Sequence, residues 1–583
     1  LVIIISDYQL IFYNFSGSMR FFSNIQNCLI GILFSLATFS QTCPPISTYF
    51  GKTLFDEFKS VCRDTKGNLY AIGNTYSPDL PVTAGAFQPM YKADYESFIV
   101  KFDSCGTLVW CTYFGTQGFD SAERIAFSKD SSVVITGYTD GTDLPTTAGC
   151  FQSVSNGMND CFIAKFNLNG QPRWISYFGG TQSDFSYAVS IDKDNNIVVG
   201  GTSLSPTIHT TAQSFQQNLI GATDAFIAKF NKSGQLKFAT FYGGSNAEDI
   251  HDVTTDISGN IIAVGGSFSN NLSTTPSCLQ ASSNGGMEVY VIKLDSVGIR
   301  LFSTYIGGAL LDDAYGVCVD GQKNIYLTGH TSSSDFYKTA VSYQTVLTGS
   351  ADNYCLKLTP TGSLIWSTIF GGSSFDNNIH CQIDANDQII SLINTQSTDF
   401  PMLGTNNFTT NTGVGDLVVA KINSSGVLNW SSYKGGTGDD KASDLLLMNN
   451  KVLISGSSSS ADFPVNAGNY QLVNNGQEDG FLSSLTVSVS IGFTTDIPSI
   501  QPNLCAAKWN SYSSVLKIDC DAAYRVIVYD LLGREIENKR IENNRLVFFS
   551  NLNLNQAYIV IGYSQNGATC FAQKILSISD STK

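Results

Sequence analysis

Ala188-Val189-Ser190-Ile191-Asp192, then Asp194-Asn195-Asn196, then Ile197-Val198-Val199-Gly200-Gly201 is the stretch whose reading decides the fold. An alternating segment, a cluster of turn residues and a β-branched segment make a hairpin. Beyond a polar loop, Asp224-Ala225-Phe226-Ile227-Ala228-Lys229-Phe230 reads as a third strand and Asn231-Lys232-Ser233-Gly234 as a turn. Gln235 to Tyr242 then forms a fourth strand. Nothing in this unit sustains an apolar period of 3.6 for the length of a helix.

Outward from this copy the unit recurs. An aromatic-glycine motif places Gly51, Gly115, Gly179, Gly243, Gly307, Gly371 and Gly435 at a constant spacing of 64 residues. The second hairpin carries Gly106, Gly170, Gly234, Gly298, Gly362 and Gly426, as a tight loop needing positive φ requires. A large ring stands once per unit at Trp110, Trp174, Phe238, Phe302, Trp366 and Trp430, suited to filling the space between adjacent sheets.

Four antiparallel strands per repeat describe a propeller blade. Sets of strands one to three number seven, from near Asp56 to Leu485, but fourth strands that follow a third strand number six. The missing one is Ile46 to Gly51, expected to pair with the last blade and close the ring, which removes edge strands. The fold class is all-β: a seven-bladed β-propeller over residues 42–487 with N-terminal closure.

The text Asp143-Leu144-Pro145-Thr146-Thr147-Ala148-Gly149-Cys150-Phe151-Gln152, Asp160 to Phe166 and Tyr177-Phe178-Gly179-Gly180 resembles the SBBP β-propeller repeats of bacterial surface proteins. The resemblance covers residues 46 to 485. Its Asp-(Leu/Phe)-Pro element stands also at Asp79, Asp399 and Asp462, while His209, Ser273 and Tyr337 replace the proline in the third to fifth copies. It implies a secreted or surface-exposed scaffold and no defined chemistry.

With 33 basic and 48 acidic residues the chain carries a formal charge of −15. That balance excludes nucleic acid as a partner, since phosphate binding needs clustered Lys and Arg. From Met19, Arg20 and the apolar run Cys28 to Ala37 read as a signal peptide over residues 19–40, and residues 1–18 as upstream translated sequence. The apolar core is short for a membrane span, and no transmembrane segment is expected in the mature chain. Of 14 cysteines, most are expected as buried thiols, with Cys105–Cys111 and Cys520–Cys570 as the best bridge candidates.

After Leu485 the period stops. A linker over residues 488–500 leads to a small β-sandwich at 501–583. Its string Val528-Tyr529-Asp530-Leu531-Leu532-Gly533-Arg534 resembles the C-terminal sorting domain of the type IX secretion system of Bacteroidetes. Pro502-Asn503 keeps half of the usual opening, and Gln501, Leu504 and Ala557 depart from the pattern. The resemblance implies the type IX machinery as a partner and an extracellular or outer-membrane-surface location.

A catalytic apparatus should break the repeat, because one active site needs one set of groups. No metal-ligand spacing involves His209, His251, His330 or His380, and no nucleophile elbow or phosphate loop occurs. His251, flanked by Asp249 and Asp252, is the cluster worth naming, read chiefly as a polar start to an inner strand. Asp192 to Asn196 imitates a calcium loop but recurs as a hairpin turn. The strongest candidate ligand site is a ring of acids at the same spacing: Asp56, Asp120, Asp184, Glu248, Asp312, Asp376 and Asp440. If the first strand lines the axis, they converge at the channel mouth to bind a cation or polyhydroxyl ligand; otherwise each caps its own loop. The expectation is a non-catalytic binding or adhesion scaffold for a glycan or protein, without cofactor, metal or catalytic residues. The alternative is a polysaccharide-degrading hydrolase or lyase, with Asp249 and Asp312 in acid/base roles.

Overall fold

The computed structural model describes residues 45–487 with their side chains, apart from 405–407 and 449–450; outside that span it describes the backbone of short strands. Seven four-stranded antiparallel sheets follow one another, and the protein is a seven-bladed β-propeller. Blade 3 is typical: Asp184–Ile191, Ile197–Ser203, Asp224–Phe230 and Leu236–Tyr242. In every blade the first strand packs against the first strands of both neighbours, so these strands ring the axis.

Blade 7 contributes Asp440–Met448, Lys451–Ser458 and Asp479–Thr486, and its fourth strand is Ser47–Phe50. The register pairs Ser47 with Ser483 and Phe50 with Gly480, which closes the ring as expected. Tyr49 is fully buried there and its hydroxyl donates to the Ser460 carbonyl at 2.5 Å.

The repeated rings and glycines form one device. In blades 1 to 5 the ring on the fourth strand lies on the turn glycine of the next blade: a Cβ on Gly234 would stand 2.8 Å from the Trp174 ring. That turn needs φ of +80° at Gly234, so glycine is required there twice over. Trp174 Nε1 also donates to the Lys232 carbonyl in the same turn, at 3.2 Å. A buried lysine on the third strand of blades 2 to 6 adds a further tie. Lys229 Nζ lies 2.9 Å from Asp192, the hairpin acid of its own blade, and donates to the Ser296 carbonyl of the next. Asp192 itself accepts from the Asp194 and Asn196 N–H groups, the geometry of a turn.

The expected Cys105–Cys111 bridge is absent: Cys105 is disulfide-bonded, while Cys111 is a free thiol in the core. Sequence spacing could not show that Cys111 lies on a fourth strand facing inward. A second compact unit, Ile491–Lys583, contains Cys505–Asn510 paired with Val515–Cys520. It also has a four-stranded antiparallel sheet in the order Glu535–Arg540, Arg525–Asp530, Tyr558–Tyr563, Thr569–Ile575. Near the start of the chain Val2–Ser6 pairs with Gln9–Tyr13. The signal over 19–40 and the Cys520–Cys570 pairing lie outside the described residues. Among the described residues, no helix is long and apolar enough to cross a membrane.

Candidate functional site

Six of the ring acids open first strands and Glu248 forms an isolated bridge ahead of its own, but their carboxylates do not converge on the axis. Asp56, Asp120, Asp184, Glu248, Asp312, Asp376 and Asp440 are each no more than 1% exposed. Each accepts from the backbone N–H four residues earlier, as Asp184 does from Gly180 at 2.6 Å and Asp312 from Gly308 at 2.7 Å. Hydroxyls at the end of the second strand complete the cap, Ser205 to Asp184 and Ser333 to Asp312, both at 2.8 Å. Burial raises their pKa, to about 6 for Asp56, Asp120 and Asp376. A second acid on each third strand faces the first across the motif glycine. A Cβ on Gly179 would stand 2.6 Å from Asp160 and 2.9 Å from Asp184. These acids serve their own blades, and Asp312 is therefore not placed for the acid/base role considered for it.

What faces the channel is the residue one step on, and the residue two beyond that. In six blades the pairing register shifts around the third residue after the ring acid, as between Ser186 and Ala188 or Ala314 and Gly316. A bulge re-aims one side chain, and here it turns Lys59, Glu123, Tyr187, Tyr315, Ile379 and Ser443 toward the axis. In blade 4 the ladder is interrupted at the same place, around His251. These positions do not repeat, and that was the signal available in the sequence: columns of the repeat that vary in chemistry.

At the junction of blades 4 and 5 this layer gathers titratable groups. His251 Nε2 lies 3.2 Å from Asp313 Oδ2 and 3.5 Å from Asp249 Oδ1. Asp313 is buried and fixes the imidazole from the next blade, while the side chains of Asp249 and His251 are 35% and 22% exposed. Asp252, the flanking acid in the sequence, turns away to accept from the Val317 N–H at 2.9 Å. Tyr315 stacks on His251 with centroids 4.4 Å apart and planes 14° apart, and His330 lies 5.7 Å from the same ring. Burial opposes the charge on His251, but Asp313 and Asp249 outweigh it and hold its pKa up to about 9. For His330 burial dominates and the pKa is lowered. The donor atoms of Asp249, His251 and Asp313 lie within 4.8 Å of one another, the donor types of a metal site. The imidazolium between the carboxylates supplies that positive charge internally.

One residue past the bulge, a deeper layer closes the channel. Arg124 of blade 2 lies 3.2 Å from Asp444 of blade 7, and His380 of blade 6 lies 2.8 Å from the same carboxylate. His380 also lies 3.6 Å from Asp252 of blade 4, and Ser60 of blade 1 donates to Asp444 at 2.6 Å. Arg124–Asp444 and His380–Asp252 join blades that are not neighbours, while His380 and Ser60 tie Asp444 to the blades on either side of it. Burial opposes ionisation of Asp444, yet His380 and Arg124 hold its pKa to about 2. The mouth above is a recess with an ionic floor.

Comparison with known proteins bears on the fold. The SBBP β-propeller repeat family matches residues 301–337, the last strand of blade 4 and the start of blade 5. An uncharacterized WD repeat-containing protein of Acanthamoeba polyphaga mimivirus is 24% identical over 332 residues, 46% of this chain and 24% of that protein. The regulatory protein FlaEY of Caulobacter vibrioides is 24% identical over 229 residues, 38% of this chain and 23% of its own. The chain thus spans about a quarter of the length of these curated relatives. Among solved structures, an ulvan lyase of a polysaccharide lyase family is similar at a TM-score of 0.41 and 9% identity, over 77% of this chain and 96% of that one. The Neurospora crassa Pan2 WD40 domain is similar at 0.37 and 9%, over 73% and 89%. The chain is a seven-bladed β-propeller that carries an SBBP-type repeat match across residues 301–337.

Proposed function

We propose that the channel mouth is a carbohydrate-active site that cleaves a polysaccharide by acid–base chemistry. The observation that carries this is a pair of imidazoles stacked against one tyrosine with proton affinities pushed in opposite directions. Groups driven apart in this way divide into acid and base. His251, charged at neutral pH, gives a proton to the leaving glycosidic oxygen. His330, neutral at the same pH, takes one from the attacking water or from the sugar ring. Tyr315 positions both rings, and Asp313 orients His251.

The test is a panel of polysaccharides with the purified chain, reading new reducing ends and the ultraviolet absorbance of an unsaturated product. Cleavage is expected, with His330→Ala and His251→Asn each lowering the rate by about 10²–10⁴-fold. Hydrolysis leaves no absorbance and elimination does. An unchanged rate in both variants, or no cleavage across the panel, would reject the catalytic reading.

A non-catalytic glycan-binding or adhesion role is the second reading, favoured by the exposed rings Tyr76, Phe119, Phe268 and Phe375 on the mouth face. Long loops on a rigid ring are where binding residues concentrate. In either case the resemblance of residues 501–583 to a sorting domain supports export through a type IX pathway to the cell surface. Equal surface display of the full chain and of a chain ending near Pro498 would reject that route.

A further inference from the structure

We propose that an aromatic band across blades 1 to 3 is a stacking platform for a neutral polysaccharide chain, leading it toward His251 and His330. This rests on the reading of the mouth as a carbohydrate site, but not on its chemistry.

Six rings run in sequence around the mouth. Tyr76 and Tyr95 are 4.8 Å apart between centroids, Tyr95 and Phe119 4.5 Å, and Phe119 and Tyr138 6.2 Å. Tyr138 lies 4.9 Å from Phe185, and Phe185 lies 6.4 Å from Tyr187 with planes 11° apart. Tyr187 occupies in blade 3 the position that His251 occupies in blade 4, so the band runs into the acid–base cluster. Tyr76 and Phe119 are 43% and 39% exposed. A contiguous apolar surface of this kind on a folded protein marks a binding site.

The rings are set in place before any ligand arrives. Tyr95 donates its hydroxyl to Glu57 at 2.9 Å, and the Phe119 N–H is held by Asp140 at 2.6 Å. A platform already ordered loses little entropy on binding. Rings recognise the C–H faces of a sugar, and the carboxylates beside them accept from its hydroxyls.

Charge selects among glycans. Glu57, Glu123 and Asp249 are partly exposed at the mouth, and Asp313 is buried behind His251. Three cations on the first strands are paired: Lys59 lies 3.1 Å from Glu123, Lys441 lies 2.8 Å from Asp439, and Arg124 is bound to Asp444, while Arg63 stands at the hairpin end of its strand, away from Asp56. A uronate or sulfate chain would meet carboxylates without a free counter-charge, at a desolvation cost no contact offsets. A neutral chain has no carboxylate to acidify a ring C–H, so its cleavage is hydrolysis. The glycosidic C–O bond breaks, water supplies hydroxyl to the anomeric carbon, and the leaving oxygen receives the proton.

Affinity electrophoresis of the full chain in gels holding a neutral glucan, mannan or xylan, against alginate or a sulfated galactan, tests this directly. Retardation by a neutral chain is expected, weakened at least about tenfold in Phe119→Ala and Tyr76→Ala. Both variants should melt with the parent, and Ile299→Ala, at an exposed position in the turn before the fourth strand of blade 4, should bind as the parent does. Retardation only by anionic chains, retention by both ring variants, or no retardation at all would overturn the platform. Binding without cleavage would reject the catalysis and leave the platform standing.

Discussion

At the scale of single residues, the repeat is written twice, once in positions that recur and once in positions that do not. The motif glycine recurs because two buried carboxylates close on it and leave no room for a Cβ, as at Gly371 between Asp352 and Asp376. The acid that opens each first strand was visible in the sequence, and so was its capping alternative. Its third-strand partner was not, since Glu96, Asp160 and Asp224 sit in ordinary strand text. The varying positions carry the chemistry. Asp444 is the clearest case, because three side chains from three other blades meet on one carboxylate. Asp444→Asn keeps the size, leaves Arg124 buried without its carboxylate and leaves His380 with Asp252 alone, at 3.6 Å. Loss of one partner of a buried pair costs about 3–5 kcal/mol, so denaturant unfolding should show a fall of that order. A change within about 0.5 kcal/mol would mean that the ionic floor is open to water.

At the scale of elements, two features decide where side chains point. The bulge in the first strand shifts the alternation by one, so partly exposed Lys59 reaches Glu123 while fully buried Ser60 donates to Asp444. Sequence alternation alone cannot reveal it, because a bulged strand and a regular one have the same composition. The closing strand is the other feature. Its residues Ser47–Phe50 are buried, and Ser47 reaches Ser483 at 2.8 Å across 436 positions of chain. Deleting residues 43–51 should leave the third strand of blade 7 as an open edge and lower the melting temperature with aggregation. A truncated chain that melts with the parent would show that closure contributes little.

At the scale of the whole molecule, the buried acids set the pH response. Burial raises Glu96 and Glu288 to about 7, and Asp160 and Asp416 to about 6, above the unfolded range near 4. A raised pKa means the folded state holds its protons more tightly, so this contribution is full below about pH 4 and lost as pH rises through 6 to 7. Asp444 and Asp130, held to about 2, act in the opposite sense. Their stabilisation is present above about pH 4 and lost as pH falls toward 2. The melting temperature should therefore peak between about pH 4 and 6 and decline toward neutrality. A maximum at or above pH 7.5 would contradict this account of the acids.

The number of blades, the strands of each and the closure at Ser47–Phe50 were legible in the order of residues alone. These rest on local periodicity and turn chemistry, which every copy restates at a fixed spacing. Only the tertiary structure decided which groups meet. Asp313 joins His251 across 62 positions, and Arg124 joins Asp444 across most of the chain. Their proximity comes from the ring, which brings the same strand position of different blades to one axis. Spacing along the chain carries no trace of that convergence, and the pKa values follow from it.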